Sequence, residues 1–340
     1  MRAMLLNKIA SMQDQPEPLQ LAEIPRPEPA ANEVLLRVNA CGVCHTELDE
    51  IEGRTPPSFL PIVPGHEVVG RVAGLGADVT AHAVGDRVGV GWIARSSGGE
   101  HENIDAGFVA TGRDVNGGYA EYMTVHEQFA YRVPEGLSDV EVAPLLCAGS
   151  VGYRALKLAG IGGHDVLGLT GFGASGHLVL QLASYLYPQS PVYVFARSPA
   201  EREFALDLGA DWAGSTDDTP PQPPHAIIDT TPVWHPVLAA LKCLRPGGIL
   251  VINAIRKENS DRQEMATIDY TQHLWQEKRL QTVANITRHD ISAFLEIANK
   301  AGIRPEIRLY RLEDANKALQ ALRRGQIRGA NVLAIADQFG

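Results

Sequence analysis

"GLTGFGASGHL", residues 168–178, decides the fold. It contains Gly171-x-Gly173-x-x-Gly176, with Ala174 and Ser175 inside the spacing. The apolar run "HDVLGL" that leads into it reads as a strand. Beyond it, Leu178, Val179, Leu182, Ala183 and Leu186 recur at helical spacing. Glycines between a strand and a helix permit a tight turn and let the backbone approach a pyrophosphate, which the helix N-terminus then faces. Further along, "PVYVFA", "HAIIDTT", "GGILVINA" and "RLQTVAN" read as strands. "SPAEREFALDLGA" reads as a helix, with Ser198 as cap, Pro199 first and Glu201 closing a capping box. This alternation predicts an α/β fold with a doubly wound parallel sheet.

The flanking segments differ. Up to about residue 147, "NEVLLRVNACGV", "EVVGRVAGLG" and "GDRVGVGW" read as short strands with glycine punctuation. No amphipathic run of helix length is visible before about residue 139. After about residue 287, "DISAFLEIANKAGI" and "LEDANKALQALRRGQIRG" read as helices and "ANVLAIA" as a last strand.

The chain has 340 residues, 45% hydrophobic and 21% charged, as expected for about two globular domains. A net charge of −10 gives no electrostatic support for nucleic acid or for a polybasic membrane anchor. The sequence shows neither a secretory leader nor the ~18 apolar residues of a spanning helix. The expectation is a cytoplasmic protein, with no membrane or nucleic-acid partner, whose thiols stay reduced.

The second strand of the doubly wound region ends "VYVFARSP". A carboxylate there would hold the adenosine ribose of NAD; Ala196, Arg197 and Ser198 stand instead. Arg197 and Ser198 suit a 2′-phosphate, which favours NADP(H) over NAD(H).

Two of the four cysteines fall in "NACGVCHTELDE", residues 39–50. "VPGHEVVG" adds His66 and Glu67, and "APLLCAGS" adds Cys147. Two thiolates and an imidazole make a three-ligand zinc site with an open position, able to polarise an oxygen as a Lewis acid. The alternative is a non-catalytic dinucleotide-binding redox sensor that uses Cys41 and Cys44 as a thiol pair. Such a sensor needs neither His66 nor Cys147.

"CGVCHTEL", "GHEVVGRV", "GDRVGVGW", "NGGYAEY", "APLLCAG", the Gly171 motif and "TRHD" follow one another in the order found in zinc-dependent alcohol dehydrogenases of the medium-chain dehydrogenase/reductase superfamily. The chain resembles that family over essentially its whole length. The resemblance implies a GroES-like β-domain of residues 1–147 and 288–340, with a Rossmann dinucleotide-binding domain of residues 148–287 inserted. It implies one catalytic zinc per subunit on Cys44, His66 and Cys147, with Glu67 able to approach the metal. It also implies that His45 touches the cofactor pyrophosphate and that Thr46 receives the alcohol proton. Glu47 then orients the zinc histidine, Trp92 lines the substrate pocket, and Cys41 is a packing residue. Substrate, cofactor and assembly follow in the same way: an alcohol or aldehyde, NAD(P)(H), and a homodimer or homotetramer.

The chain departs from the family pattern in four places. "SSGGEHENIDAGFVATG" lacks the four cysteines of a structural zinc, and Asp105 stands where the last would be. Asp49 replaces the relay histidine, so the proton route ends on that carboxylate or in water. Val151 replaces a frequent threonine. Ala330 replaces an arginine, with Arg328 two positions away.

Overall fold

Buried apolar strands joined by helices dominate the middle of the chain, and long antiparallel strands dominate its start. The computed structural model describes residues 1–325 and 327–336. The chain divides into two compact units: Met1–Ser150 with Ile286–Asn299 and Arg304–Gly340, and Val151–Asn285 with Lys300–Ile303. The borders fall two or three residues from the 147/148 and 287/288 positions expected from sequence.

In the second unit, six parallel strands lie in the order Trp212–Gly214, Val192–Phe195, Leu167–Thr170, Ala226–Asp229, Ile249–Ile252, Arg279–Thr282. The four inner strands are buried at every position, which is why they read as continuous apolar runs. The order reverses between Leu167–Thr170 and Ala226–Asp229, so the ligand crevice is expected at the carboxyl ends of that pair. The helices Ala174–Leu186 and Pro199–Asp207 stand where the sequence places them, the latter with the Ser198–Glu201 capping box. Trp212–Gly214 is absent from the sequence reading. Its three residues are too few to alternate visibly, and the strand is held as an edge by Trp212 packing edge-on against Tyr193 and Phe195.

At the carboxyl end of Ala226–Asp229, Asp229 is fully buried. It accepts hydrogen bonds from the hydroxyls of Thr170 at 2.6 Å and Thr231 at 2.7 Å, and pairs with the buried Lys257 ammonium. Lys257 also donates to the Thr231 carbonyl at 2.7 Å.

The first unit is built on a seven-stranded sheet. Ile307–Arg311, Ala330–Ala334, Glu33–Val43, Val68–Leu75, Arg87–Val90 and Tyr131–Arg132 follow in order, and Tyr122–His126 also pairs with Glu33–Val43. The C-terminal strand Ala330–Ala334 runs antiparallel to Glu33–Val43, so the chain's end completes its beginning. Arg328 lies before this strand, and Gly329 at φ +75° breaks the alternation, so Arg328 does not share a strand face with Ala330.

The polar stretch after Cys44 is a correction to the sequence reading. It forms a helix, His45–Ile51, whose Thr46, Glu47, Asp49 and Glu50 are all buried. An apolar stripe could not reveal it, because its buried face is made largely of groups that bond to neighbours. The segment without cysteines is tied by charge. Glu102, buried, accepts from Arg288 N–H at 2.6 Å, Arg288 Nε at 3.0 Å and the Ser96 hydroxyl at 2.6 Å. Asp105 accepts from the N–H groups of Ser97 at 3.2 Å and Gly107 at 2.9 Å.

Candidate metal centre and dinucleotide site

Strand register brings the candidate metal ligands together. Cys41 of Glu33–Val43 lies opposite Val68 of Val68–Leu75. The chain leaving the first strand therefore meets the chain entering the second, which brings Cys44 to His66 and Glu67. A Cβ at Gly42 would fall 1.7 Å from Glu67 Oε2, so only glycine lets that side chain through. Cys147 enters from the junction between the 3-10 turn Ala143–Leu146 and the helix Ala148–Ala159.

Cys44 is the N-cap of His45–Ile51. Glu47 accepts the Cys44 N–H through Oε2 at 2.7 Å and lies 2.5 Å from His66 Nδ1 through Oε1. One carboxylate thus closes the helix and orients the imidazole. With Nδ1–H donated to Glu47, the Nε2 lone pair is left over. Nε2 is buried and has no hydrogen-bond partner. One ligand atom each from Cys44, His66, Glu67 and Cys147 lies within 4.8 Å of the others. Two sulfurs, one imidazole nitrogen and one carboxylate fit Zn²⁺ in number and kind.

The charges agree with this fit. The contact with Cys147 draws the Cys44 thiol well below its ordinary range, and the same contact, with burial, pushes Cys147 up. Burial acts to lower His66, but the Glu47 carboxylate and Cys44 outweigh it and raise the imidazole well above its usual value. Burial and the Cys44 charge push Glu67 up. Crowded donors of this kind suit a divalent cation, whose binding is linked to release of their protons.

The Thr46 hydroxyl lies 3.6 Å from Cys44 Sγ, while His45 is exposed at the first helical position. The Asp49 carboxylate is engaged by Arg54 Nε at 2.6 Å. The Trp92 ring centroid is 6.4 Å from that of His66. Cys41 is fully buried, and its sulfur packs against Gly65 and Gly118. Cys44 turns instead to His66 and Cys147, so Cys41 and Cys44 do not face each other as a redox couple. Three neighbours of Trp92 escaped the sequence reading: Glu50, Phe108 and Arg113. Glu50 lay in plain view in "HTELDE", but its burial depends on a helix too short to show a period.

In the second unit, Gly171 adopts φ +81°, and a Cβ there would meet the Thr230 hydroxyl at 2.8 Å. A Cβ at Gly176 would meet the Gly171 carbonyl at 2.6 Å, which holds helix against strand. Nothing lies within 4 Å of the Cβ position at Gly173. Gly173 is the N-cap of Ala174–Leu186 without a side-chain cap, and Gly173, Ala174 and Ser175 are half-buried. Open space over an uncapped helix N-terminus fits a dinucleotide pyrophosphate. Arg197 is exposed beside buried Ala196. The Ser198 oxygen is engaged by its own helix as a cap.

Beneath this turn, burial pushes the His177 imidazole down to about 4, even though the Gly173 carbonyl takes its Nδ1–H at 2.9 Å. An unfolded histidine titrates near 6.5. The folded value is the depressed one, so this contribution to stability is complete above about pH 6.5 and is lost as pH falls toward about 4. The full loss is about 3 kcal/mol. His177→Gln is expected to flatten stability against pH across that window in denaturant titrations; an unchanged slope would assign the acid sensitivity elsewhere.

Comparison with known proteins places this geometry among relatives. Residues 30–135 match the family model of the alcohol dehydrogenase GroES-like domain. The chain is 40% identical to a probable alcohol dehydrogenase, AdhA, of Mycobacterium tuberculosis, over 94% of this chain and 93% of that protein. It is 31% identical to an alcohol dehydrogenase of Geobacillus stearothermophilus, over 97% and 99%. Among solved structures it resembles a cinnamyl alcohol dehydrogenase of Sorghum bicolor, with TM-score 0.82, 26% identity and coverage of 98% and 97%.

Proposed function

Because the chain belongs to the zinc-type medium-chain alcohol dehydrogenase family, we propose that it interconverts an alcohol and its aldehyde with a nicotinamide dinucleotide, using one zinc held by Cys44, His66 and Cys147. The observation that carries this reading is the orphaned, buried Nε2 of His66, aimed among two thiols and a carboxylate. Bound there, zinc would supply Lewis acidity toward the substrate oxygen, and the nicotinamide would supply or accept hydride.

The chain's own groups do the rest. Glu47 fixes the imidazole tautomer, so that Nε2 stays available as a ligand. Glu67 would offer the metal a further oxygen ligand. Thr46 takes the alcohol proton through its hydroxyl. Of the two ends open to that proton, the pairing of Asp49 with Arg54 favours release to water. The Gly171–Gly176 turn would hold the pyrophosphate; the family resemblance assigns His45 to the same group. An alcohol and aldehyde panel assayed with both cofactors tests the reading; turnover of none of them would sink it.

NADP(H) is the proposed preference, supported by Ala196 and Arg197 in place of a carboxylate. With Ser198 occupied as a cap, Arg197 carries most of the discrimination. A charge-assisted contact of about 1.5–3 kcal/mol corresponds to roughly 10- to 150-fold in the ratio of specificity constants. Arg197→Ala is expected to lower the NADP/NAD ratio by that order. A wild type favouring NAD, with the ratio unmoved by Arg197→Ala, would make Arg197 a surface charge only.

The proposed assembly is a homodimer or homotetramer. The edge strand Arg279–Thr282 is exposed at every residue, with Leu280, Trp275 and Tyr270 exposed on or near it. No helix among the described residues is long and apolar enough to cross a membrane. A cluster that needs reduced thiols suits the cytoplasm.

A further inference from the structure

Glu50 is a buried carboxyl that the proposed reaction does not use. It is 1% exposed, and its Oε2 has no hydrogen-bond partner. Burial pushes its carboxyl well above the usual range, and the neighbouring Glu47 charge adds to that. Every residue of the helix from Thr46 to Ile51 is buried, so a carboxyl at this position is held out of water and its burial needs a compensating contact. Its other oxygen meets Trp92, whose Nε1 donates to Oε1 at 3.4 Å.

The same indole is gripped elsewhere. The Arg113 guanidinium lies 5.3 Å over the Trp92 ring and 5.2 Å over Phe108. Phe108 meets the indole edge-on with centroids 5.3 Å apart. Arg113 is itself held by Asp114, from Nη2 at 2.6 Å and Nε at 3.1 Å, and Asp114 takes the Ala110 N–H at 2.8 Å. The backbone of Trp92 is fixed by accepting the Thr111 N–H at 2.7 Å. An indole bonded at its nitrogen, covered by a cation and abutted by a second ring is a rigid wall beside the ligand His66.

We propose that Glu50 is a specificity-determining positioning residue, which with Arg113 fixes Trp92 beside His66 so that the indole selects alcohols by width. This rests on the alcohol dehydrogenase reading of the metal centre. Glu50 touches the reaction only through Trp92. The glutamine amide oxygen can accept the same Nε1–H, whereas alanine cannot.

The test compares wild type, Glu50→Gln, Glu50→Ala, Trp92→Phe and the double variant Glu50→Ala/Trp92→Phe. The readouts are kcat/KM for 1-butanol and for cyclohexylmethanol, and zinc content. Glu50→Ala is expected to shift the ratio toward the wider alcohol by about tenfold, mostly through KM. Glu50→Gln is expected to keep the wild-type ratio, and the double variant to shift no further than Trp92→Phe alone. An unmoved ratio in Glu50→Ala, additive shifts in the double variant, or loss of zinc from Glu50→Ala would overturn the proposal. Should Glu50→Ala not fold, Arg113→Gln frees one face of the same indole and must shift the ratio in the same direction. A second readout needs no turnover. The Trp92 indole N–H resonance, identified by its loss in Trp92→Phe, is expected to move in Glu50→Ala and not in Glu50→Gln. A protein inactive on every alcohol would thus sink the functional reading and still leave the clamp tested.

Discussion

Cys44→Ser is expected to lower alcohol oxidation at least about a thousandfold while leaving dinucleotide binding largely intact. A Lewis acid lowers the barrier by several kcal/mol, and each 1.4 kcal/mol is a factor of ten. A hydroxyl at residue 44 is a poor replacement for a thiolate that Cys147 and His66 already draw below its ordinary range. The dinucleotide turn belongs to the other compact unit, which explains the asymmetry. Cys41→Ser is the matched control. Its sulfur is fully buried against Gly65 and Gly118, so the change should cost stability, on the order of 1–3 kcal/mol for a buried hydroxyl, and keep the metal. Initial rates, metal analysis and fluorescence titration of reduced cofactor read all three quantities. Zinc lost from Cys41→Ser and kept in Cys44→Ser would reverse the ligand assignment.

Lys257→Met is expected to destabilise the chain by about 3–5 kcal/mol, because it strands the Asp229 carboxylate in the interior. Asp229 is fully buried and Lys257 nearly so. Two threonine hydroxyls remain on the carboxylate, but neither carries charge. Lys257→Met/Asp229→Asn should recover a large part of the loss, since the buried pair is then removed as a unit. Denaturant unfolding of the full chain measures both. A single variant within about 1 kcal/mol of wild type would mean that the carboxylate finds another cation or water.

Gly171, Gly173 and Gly176 disclose the Rossmann unit because each does a local job: a positive φ, an open approach and a close helix–strand contact. The inner strands are equally plain, since burial on both faces writes them as unbroken apolar runs. The candidate metal ligands come from three distant segments; their residue types suggest the set, but only the resemblance to a known family selects Cys44 over Cys41, a choice no local pattern makes. What stayed hidden is pairwise and long-range. Glu102 and Arg288 are 186 positions apart, Glu50 and Trp92 are 42 apart, and Asp229 and Lys257 are 28 apart. No local pattern announces such pairs, because burial of a charged residue depends on a partner the neighbouring sequence does not contain. The helix His45–Ile51 was missed for the same reason: its buried residues look like a surface. The sequence left Asp49 open as the end of the proton route, and the structure sets Arg54 on its carboxylate.

The proposed reaction depends on a single catalytic zinc on Cys44, His66 and Cys147. Metal analysis of the purified wild type, alongside alcohol oxidation before and after removal of the metal by a chelator and its restoration, tests it most directly. The expected result is one zinc per chain, activity lost with the metal and regained on adding Zn²⁺, and no tightly held zinc in Cys44→Ser. Full alcohol oxidation by a zinc-free protein, or a second tightly held zinc per chain, would contradict it.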